Sequence, residues 1–191
     1  MTIHLIRPKE YRTSLWSGGK TTELFIYPQG SNYKSLDFDF RLSSASVEIE
    51  NSTFTTLPKV LRKLMILDGE IEITHKNRYT KILKKFDVDE FEGDWNTSSV
   101  GKCIDFNVMT RRGLKSELYQ KFILKGKTHT IEFCDDFLVI YLLEGKLNIT
   151  FDNRVVPVKE KEVLVCESKD KVSFLIEAQE ESSLVLVKIT R

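Results

Sequence analysis

The sequence predicts an all-β protein made of two similar β units. Strand-favouring residues are abundant, polar and apolar residues alternate at period two, and one hairpin pattern occurs twice. Twelve Phe and six Tyr among 191 residues, with many Val and Ile, favour extended chain. Alternation is clearest where Leu147, Ile149 and Phe151 interleave with Lys146, Asn148 and Thr150, and where Phe38, Phe40 and Leu42 interleave with Asp39, Arg41 and Ser43. Similar runs fall at Glu70–Thr74, Thr130–Phe133 and Ser183–Ile189, between turn-like clusters of Asp, Asn, Gly and Lys. No stretch of a dozen residues keeps a 3.6 period between helix caps; the nearest candidate, Lys115–Phe122, is short. Strands so spaced indicate a sandwich or barrel.

The repeat sets Ile66-Leu-Asp-Gly-Glu-Ile-Glu-Ile-Thr-His-Lys-Asn-Arg78 against Leu142-Leu-Glu-Gly-Lys-Leu-Asn-Ile-Thr-Phe-Asp-Asn-Arg154. At a constant offset of 76, six of thirteen positions are identical, Gly69/Gly145 and Asn77/Asn153 among them. Each copy reads as an apolar strand, an acidic-Gly reversal, an alternating strand and an Asn-Arg hairpin tip. Glycine belongs at such a reversal because the chain there often needs positive φ. A repeat of this length implies two β units, divided here as 1–113 and 114–191, with related cores at Leu61–Val100 and Phe137–Ile176. The hairpin resembles the central hairpin of a cupin, a small jelly-roll barrel, so the expected architecture is two cupin-like barrels, a bicupin, with strands free to exchange between halves.

Composition narrows the function. Lys plus Arg number 29 against 28 Asp plus Glu, a net charge of +1, which argues against a nucleic-acid binder. The longest apolar run, Phe137–Leu143, falls far short of the ~20 residues that span a bilayer. Arg7-Pro8 interrupts the only leader-like stretch, and Cys103, Cys134 and Cys166 are odd in number with no close pair. Together these point to a cytoplasmic protein with reduced thiols.

Metal chemistry is not expected. Only His4, His75 and His129 are present, and where a metal-binding cupin carries His-x-His this chain has Ile73, Thr74 and His75. His75, beside Lys76 at a hairpin tip, reads as a solvated turn residue. Gly18-Gly19-Lys20-Thr21 lacks the first glycine of a phosphate loop, and a strand-like segment follows it in place of a helix. No Gly-x-Ser-x-Gly elbow occurs. No catalytic residue, cofactor or metal ligand is assigned.

Four blocks in order carry a family resemblance: Trp16-Ser-Gly-Gly-Lys-Thr-Thr-Glu23, Phe38-Asp-Phe-Arg-Leu-Ser-Ser-Ala45, Phe91-Glu-Gly-Asp94 and Asp105-Phe-Asn-Val-Met-Thr-Arg-Arg-Gly113. They resemble the HutD/Ves family of bicupin-like proteins, clearly from about Leu15 to Gly113 and more weakly beyond. Lys20 stands where many members have a third glycine, and Leu61 replaces a common acidic residue before Arg62. The resemblance implies a protein associated with histidine degradation that senses an intermediate such as urocanate or a formylated glutamate, with no catalytic activity established for the family as a whole.

The motif residues themselves suggest a pocket. Arg41 and Arg62 offer planar, permanently charged forks suited to a carboxylate. Trp16 supplies an apolar wall, and Thr21, Thr22, Glu23, Asp94, Asp105 and Asn107 supply polar contacts. The expected ligand is a small carboxylic acid in the N-terminal barrel, with homodimer formation allowed and neither nucleic acid nor membrane as partner. On this reading Arg41→Met removes acid binding and spares the fold. If Arg41 instead closes an ion pair with Asp39, Glu23 or Asp105, the same change destabilises the protein. Two other readings stay open: a metal-independent epimerase or isomerase using Tyr11, Tyr27 or Tyr79 with Glu23, and a structural protein with a filled barrel.

Overall fold

The computed structural model describes residues 1–134 and 136–191, and among them every long element is a strand. The first ten strands are β1 (Thr2–Ile6), β2 (Arg12–Trp16), β3 (Gly19–Tyr27), β4 (Phe40–Val47), β5 (Asn51–Thr53), β6 (Leu61–Gly69), β7 (Ile71–His75), β8 (Tyr79–Leu83), β9 (Val88–Glu92) and β10 (Thr97–Val100). The remainder are β11 (Cys103–Thr110), β12 (Lys115–Ile123), β13 (Thr128–Phe133), β14 (Phe137–Glu144), β15 (Lys146–Phe151), β16 (Arg154–Lys159), β17 (Val163–Glu167), β18 (Val172–Ala178) and β19 (Ser182–Thr190). The one helical turn among the described residues is a 3-10 turn at Pro8–Glu10. The segment nearest a helical pattern is β12, paired along its full length with β19. Among the described residues no helix is long and apolar enough to cross a membrane.

The chain divides into two compact units, Tyr11–Leu114 and Met1–Glu10 with Lys115–Arg191. The expected division at 113/114 is therefore shifted for the first ten residues, because β1 pairs antiparallel with β17. Within the 11–114 unit the sheets run β2-β3-β4-β11-β6-β9 and β5-β10-β7-β8. Within the other they run β12-β19-β14-β17-β1 and β13-β18-β15-β16. Neither unit closes into the expected barrel: each is a pair of open sheets, with no backbone ladder joining their edges among the described residues.

The two Gly reversals occupy like places. Gly69 (φ +83°) joins β6 to β7, and Gly145 (φ +96°) joins β14 to β15. A Cβ added at either would lie 2.4 Å from a backbone carbonyl oxygen, of Lys102 or Glu181. Only glycine meets both conditions without strain.

Burial distinguishes the units. In the second, seventeen buried apolar residues from both sheets form one cluster, including Leu138, Ile149, Phe151 and Phe174. In the 11–114 unit the comparable cluster has seven, among them Leu64, Ile73 and Phe91, and a smaller group lies around Phe38 and Met109. The space between these apolar groups is where polar residues turn inward.

His75 corrects the sequence reading. It is 1% exposed, not a solvated turn residue. Alternation along β7 points it inward with Ile71 and Ile73. Its Nδ1 lies 2.8 Å from Thr97 Oγ1 and its Nε2 2.8 Å from Asp89 Oδ2. The Tyr79 hydroxyl donates to the same carboxylate at 3.2 Å, and Lys81 approaches it at 3.4 Å. Burial beside the Asp89 carboxylate pushes the Tyr79 phenol up to about 12. Phe91 and Trp95 enclose the imidazole.

Candidate functional site

A cavity of about 300 Å³ opens on the inner face of the six-stranded sheet. Its floor is built at period two: Arg41, Ser43, Ala45 and Val47 from β4, Asp105, Asn107 and Met109 from β11, Arg62 from β6, Thr21 from β3, and Ser14 and Trp16 from β2. Residues 52–55 and Tyr33 cover it. Register brings the floor residues together, with Asn107 opposite Ser43 on one side and Leu64 on the other, and Met109 opposite Arg41 and Arg62. A register shift between Ile104 and Asp105, where Leu67 is the extra residue of β6, sets Asp105 opposite Ile66. Bulges commonly re-aim side chains in this way beside sites.

The two arginines differ in state. Arg41, 6% exposed, is engaged: its Nε donates to Glu23 Oε2 at 2.7 Å, Nη1 donates to Ser43 Oγ at 3.1 Å, and the fork lies over the Tyr33 ring. Arg62 is as buried but has no hydrogen-bonded or ionic partner among the described residues. Its Nε is enclosed and unpaired. The guanidinium lies near the rings of Phe54 and Phe91, at 5.0 and 5.1 Å from their centroids. Desolvation pulls its pKa down to about 10, so it stays charged at neutral pH. Asn107 Oδ1 is also buried without a donor. Each such group costs roughly 1–3 kcal/mol, more when charged. Arg62 and Asn107 thus bring a donor and an acceptor without protein partners to the wall of one cavity.

Asp105 completes the floor. It is 6% exposed, its Oδ1 accepts the Ala45 N–H at 3.2 Å, and burial lifts its pKa to about 7 against the opposing pull of that hydrogen bond and of Arg62.

Six of the sequence candidates thus share one cavity: Trp16, Thr21, Arg41, Arg62, Asp105 and Asn107. Three do not line it. Glu23 is the partner of Arg41, Thr22 Oγ1 bonds Thr13 Oγ1 at 3.0 Å, and Asp94 is exposed on the turn after β9. Of the tyrosines considered for acid–base work with Glu23, Tyr79 is held by Asp89, and none of Tyr11, Tyr27 and Tyr79 lines the cavity. Tyr33, Phe54 and Ser52 line the site and escaped sequence reading, since they lie outside the motif blocks and only the fold brings them over the sheet. Among the described residues no group of three or more His, Cys, Asp or Glu is placed to hold a metal ion.

The model of the HutD family matches residues 8–185. Compared by sequence with curated proteins, the chain matches none. Among solved structures it is similar to a conserved protein of unknown function from Pseudomonas aeruginosa, at 18% identity and a TM-score of 0.89 with all of both chains covered. It is similar also to HutD from Pseudomonas fluorescens, at 15% identity and a TM-score of 0.74, again over both full chains. Oxalate decarboxylase from Bacillus subtilis aligns at 8% identity with a TM-score of 0.73, covering 97% of this chain and 76% of that one. At these identities the likeness shows the fold alone, and that fold is cupin-like.

Proposed function

The chain belongs to the HutD family, and on that premise we propose that it is a non-enzymatic binding protein for a small carboxylic acid, held in the cavity of the 11–114 unit. The observation that carries this reading is Arg62, a buried guanidinium that lines a cavity of ligand size and has no hydrogen-bonded or ionic partner among the described residues. A carboxylate there gains a charge-assisted hydrogen bond from a guanidinium whose charge no protein carboxylate pairs. Arg41 helps shape the floor, with its charge already matched by Glu23.

The same reading takes the two units as products of one duplication, supported by the matching strand orders and the paired Gly reversals. The family relation supports a sensing or modulating role in an amino-acid pathway, histidine utilisation being the first to test. Three free cysteines support a reducing, cytoplasmic location.

Calorimetry and thermal shift against formate, butyrate, benzoate and their amides test the binding claim. At least one acid should bind and stabilise the protein, its amide should not, and Arg62→Met should remove the response. Equal response to acid and amide, or none to any acid, overturns it.

A second reading has one observation in its favour. Asp105 titrates near neutrality, as a general acid or base would, within a cavity holding Arg62 and Asn107. Chemical conversion of a bound acid, abolished by Asp105→Asn, would replace binding with metal-independent catalysis.

A further inference from the structure

The cavity has a charge balance that selects among acids. Arg41 and Glu23 cancel at 2.7 Å, leaving Arg62 and Asp105 to set the net charge. With Asp105 ionised the four side chains sum to zero; with Asp105 protonated they sum to one positive charge. The Asp105 carboxylate takes one hydrogen bond, from Ala45 N–H to Oδ1, and no other among the described residues, while its backbone carbonyl accepts from the Ser44 hydroxyl. It lines the same cavity as Arg62 and feels its charge, so a carboxylate drawn to Arg62 enters a site that already holds the Asp105 carboxylate. Two carboxylates sharing one desolvated site raise each other's pKa, which favours a proton on one of them.

Resting on the carboxylate reading above, we propose that Asp105 is the specificity residue of this cavity: it enters the complex protonated, donates a hydrogen bond to the bound acid, and so favours singly charged acids over doubly charged ones. Binding then takes up one proton from solvent whenever the free protein holds Asp105 ionised. The charged and titratable groups around Asp105 are Arg62 on β6, Arg41 on β4 with Glu23 on β3, Tyr33 in the cover and Cys103 on its own strand. The Cys103 thiol is pushed up to about 12 by burial, and no histidine lines the cavity. Asp105 is accordingly the group placed to carry the proton, since burial already lifts it to about 7.

The sign follows. Below pH 7 Asp105 is already protonated and affinity is flat. Above it, each pH unit weakens a monoanion about tenfold.

The test is calorimetric titration of the full chain with benzoate and butyrate from pH 6 to 8.5, in two buffers of different ionisation enthalpy, with isophthalate as the doubly charged comparison. Expected are a roughly thirtyfold loss of affinity between the extremes, uptake of nearly one proton at pH 8.5, and weaker binding of isophthalate throughout. Asp105→Asn, which keeps the acceptor for Ala45 N–H, should lose the slope and bind the monoanions at pH 8.5 as tightly as wild type does at pH 6. Binding without pH dependence or proton uptake overturns the role of Asp105 and leaves the acid-binding reading standing. So does a slope that survives in Asp105→Asn, or preference for isophthalate. Failure of both monoanions to bind wild type at pH 6 removes this proposal, and failure of formate as well removes the carboxylate reading with it. Proton uptake is measured on wild type, so the outcome does not depend on how the variant folds.

Discussion

His75 Nε2 lies 2.8 Å from Asp89 Oδ2, and both side chains are buried in the 11–114 unit. Asp89 on β9 pairs with Leu64 on β6, and at the corresponding register of the other unit Leu164 on β17 pairs with Ile140 on β14. At the offset of 76 His75 corresponds to Phe151, which packs on Phe174 with ring centroids 5.3 Å apart. A hydrogen-bonded polar pair thus stands where the second unit has apolar side chains.

His75→Phe removes one partner of the buried Asp89 carboxylate, which keeps Tyr79 and Lys81, and should cost about 1–3 kcal/mol. His75→Phe with Asp89→Leu should recover most of that loss, copying Phe151 and Leu164. Chemical denaturation of the two variants checks it; a double variant no better than the single shows the pair is not an isolated stabilising unit.

Arg41→Met should destabilise the protein by about 1–3 kcal/mol through the unpaired Glu23, whose side chain is only 17% exposed. Adding Glu23→Gln should return part of the loss. Unfolding midpoints of the two variants measure the coupling directly.

Asp105 makes the ligand-free protein less stable as pH rises. Its folded-state value of about 7 exceeds the ~3.9 of an unfolded chain, so the folded state keeps a proton that the unfolded state has lost. That stabilisation is present below about pH 4 and is gone above about pH 7. Asp105→Asn should therefore be the more stable protein at pH 8, by up to about 4 kcal/mol. Melting curves at pH 5 and pH 8 compare the slopes; an unchanged slope in the variant rejects the assignment.

Gly69→Ala should cost about 2 kcal/mol or more, since a left-handed backbone and a carbonyl 2.4 Å from the new Cβ act together. Gly145→Ala should cost a similar amount, while Gly126→Ala, with positive φ but open space, should cost less. Denaturant midpoints of the three variants rank the effects.

The chain's own pattern determined the strands, the two glycine reversals and five candidate cavity residues carried by the motif blocks, Trp16, Thr21, Arg41, Asp105 and Asn107. Period-two alternation places Arg41 with Ser43 and Asp105 with Asn107 on common faces, and that relation is local. His75 was legible by the same rule, as the inward residue after Ile71 and Ile73, but its adjacency to Lys76 suggested solvent; its partners Asp89 and Thr97 are 14 and 22 positions away. Only the tertiary structure decided that Arg41 belongs to Glu23 while Arg62 is left unpaired, that Leu67 is the extra residue setting Asp105 opposite Ile66, that Tyr33 and Phe54 cover the floor, and that β1 joins the second unit. Each depends on which strands become neighbours and in what register. Hydrophobic alternation specifies which face of a strand turns inward, while strand pairing decides which side chains on those faces meet.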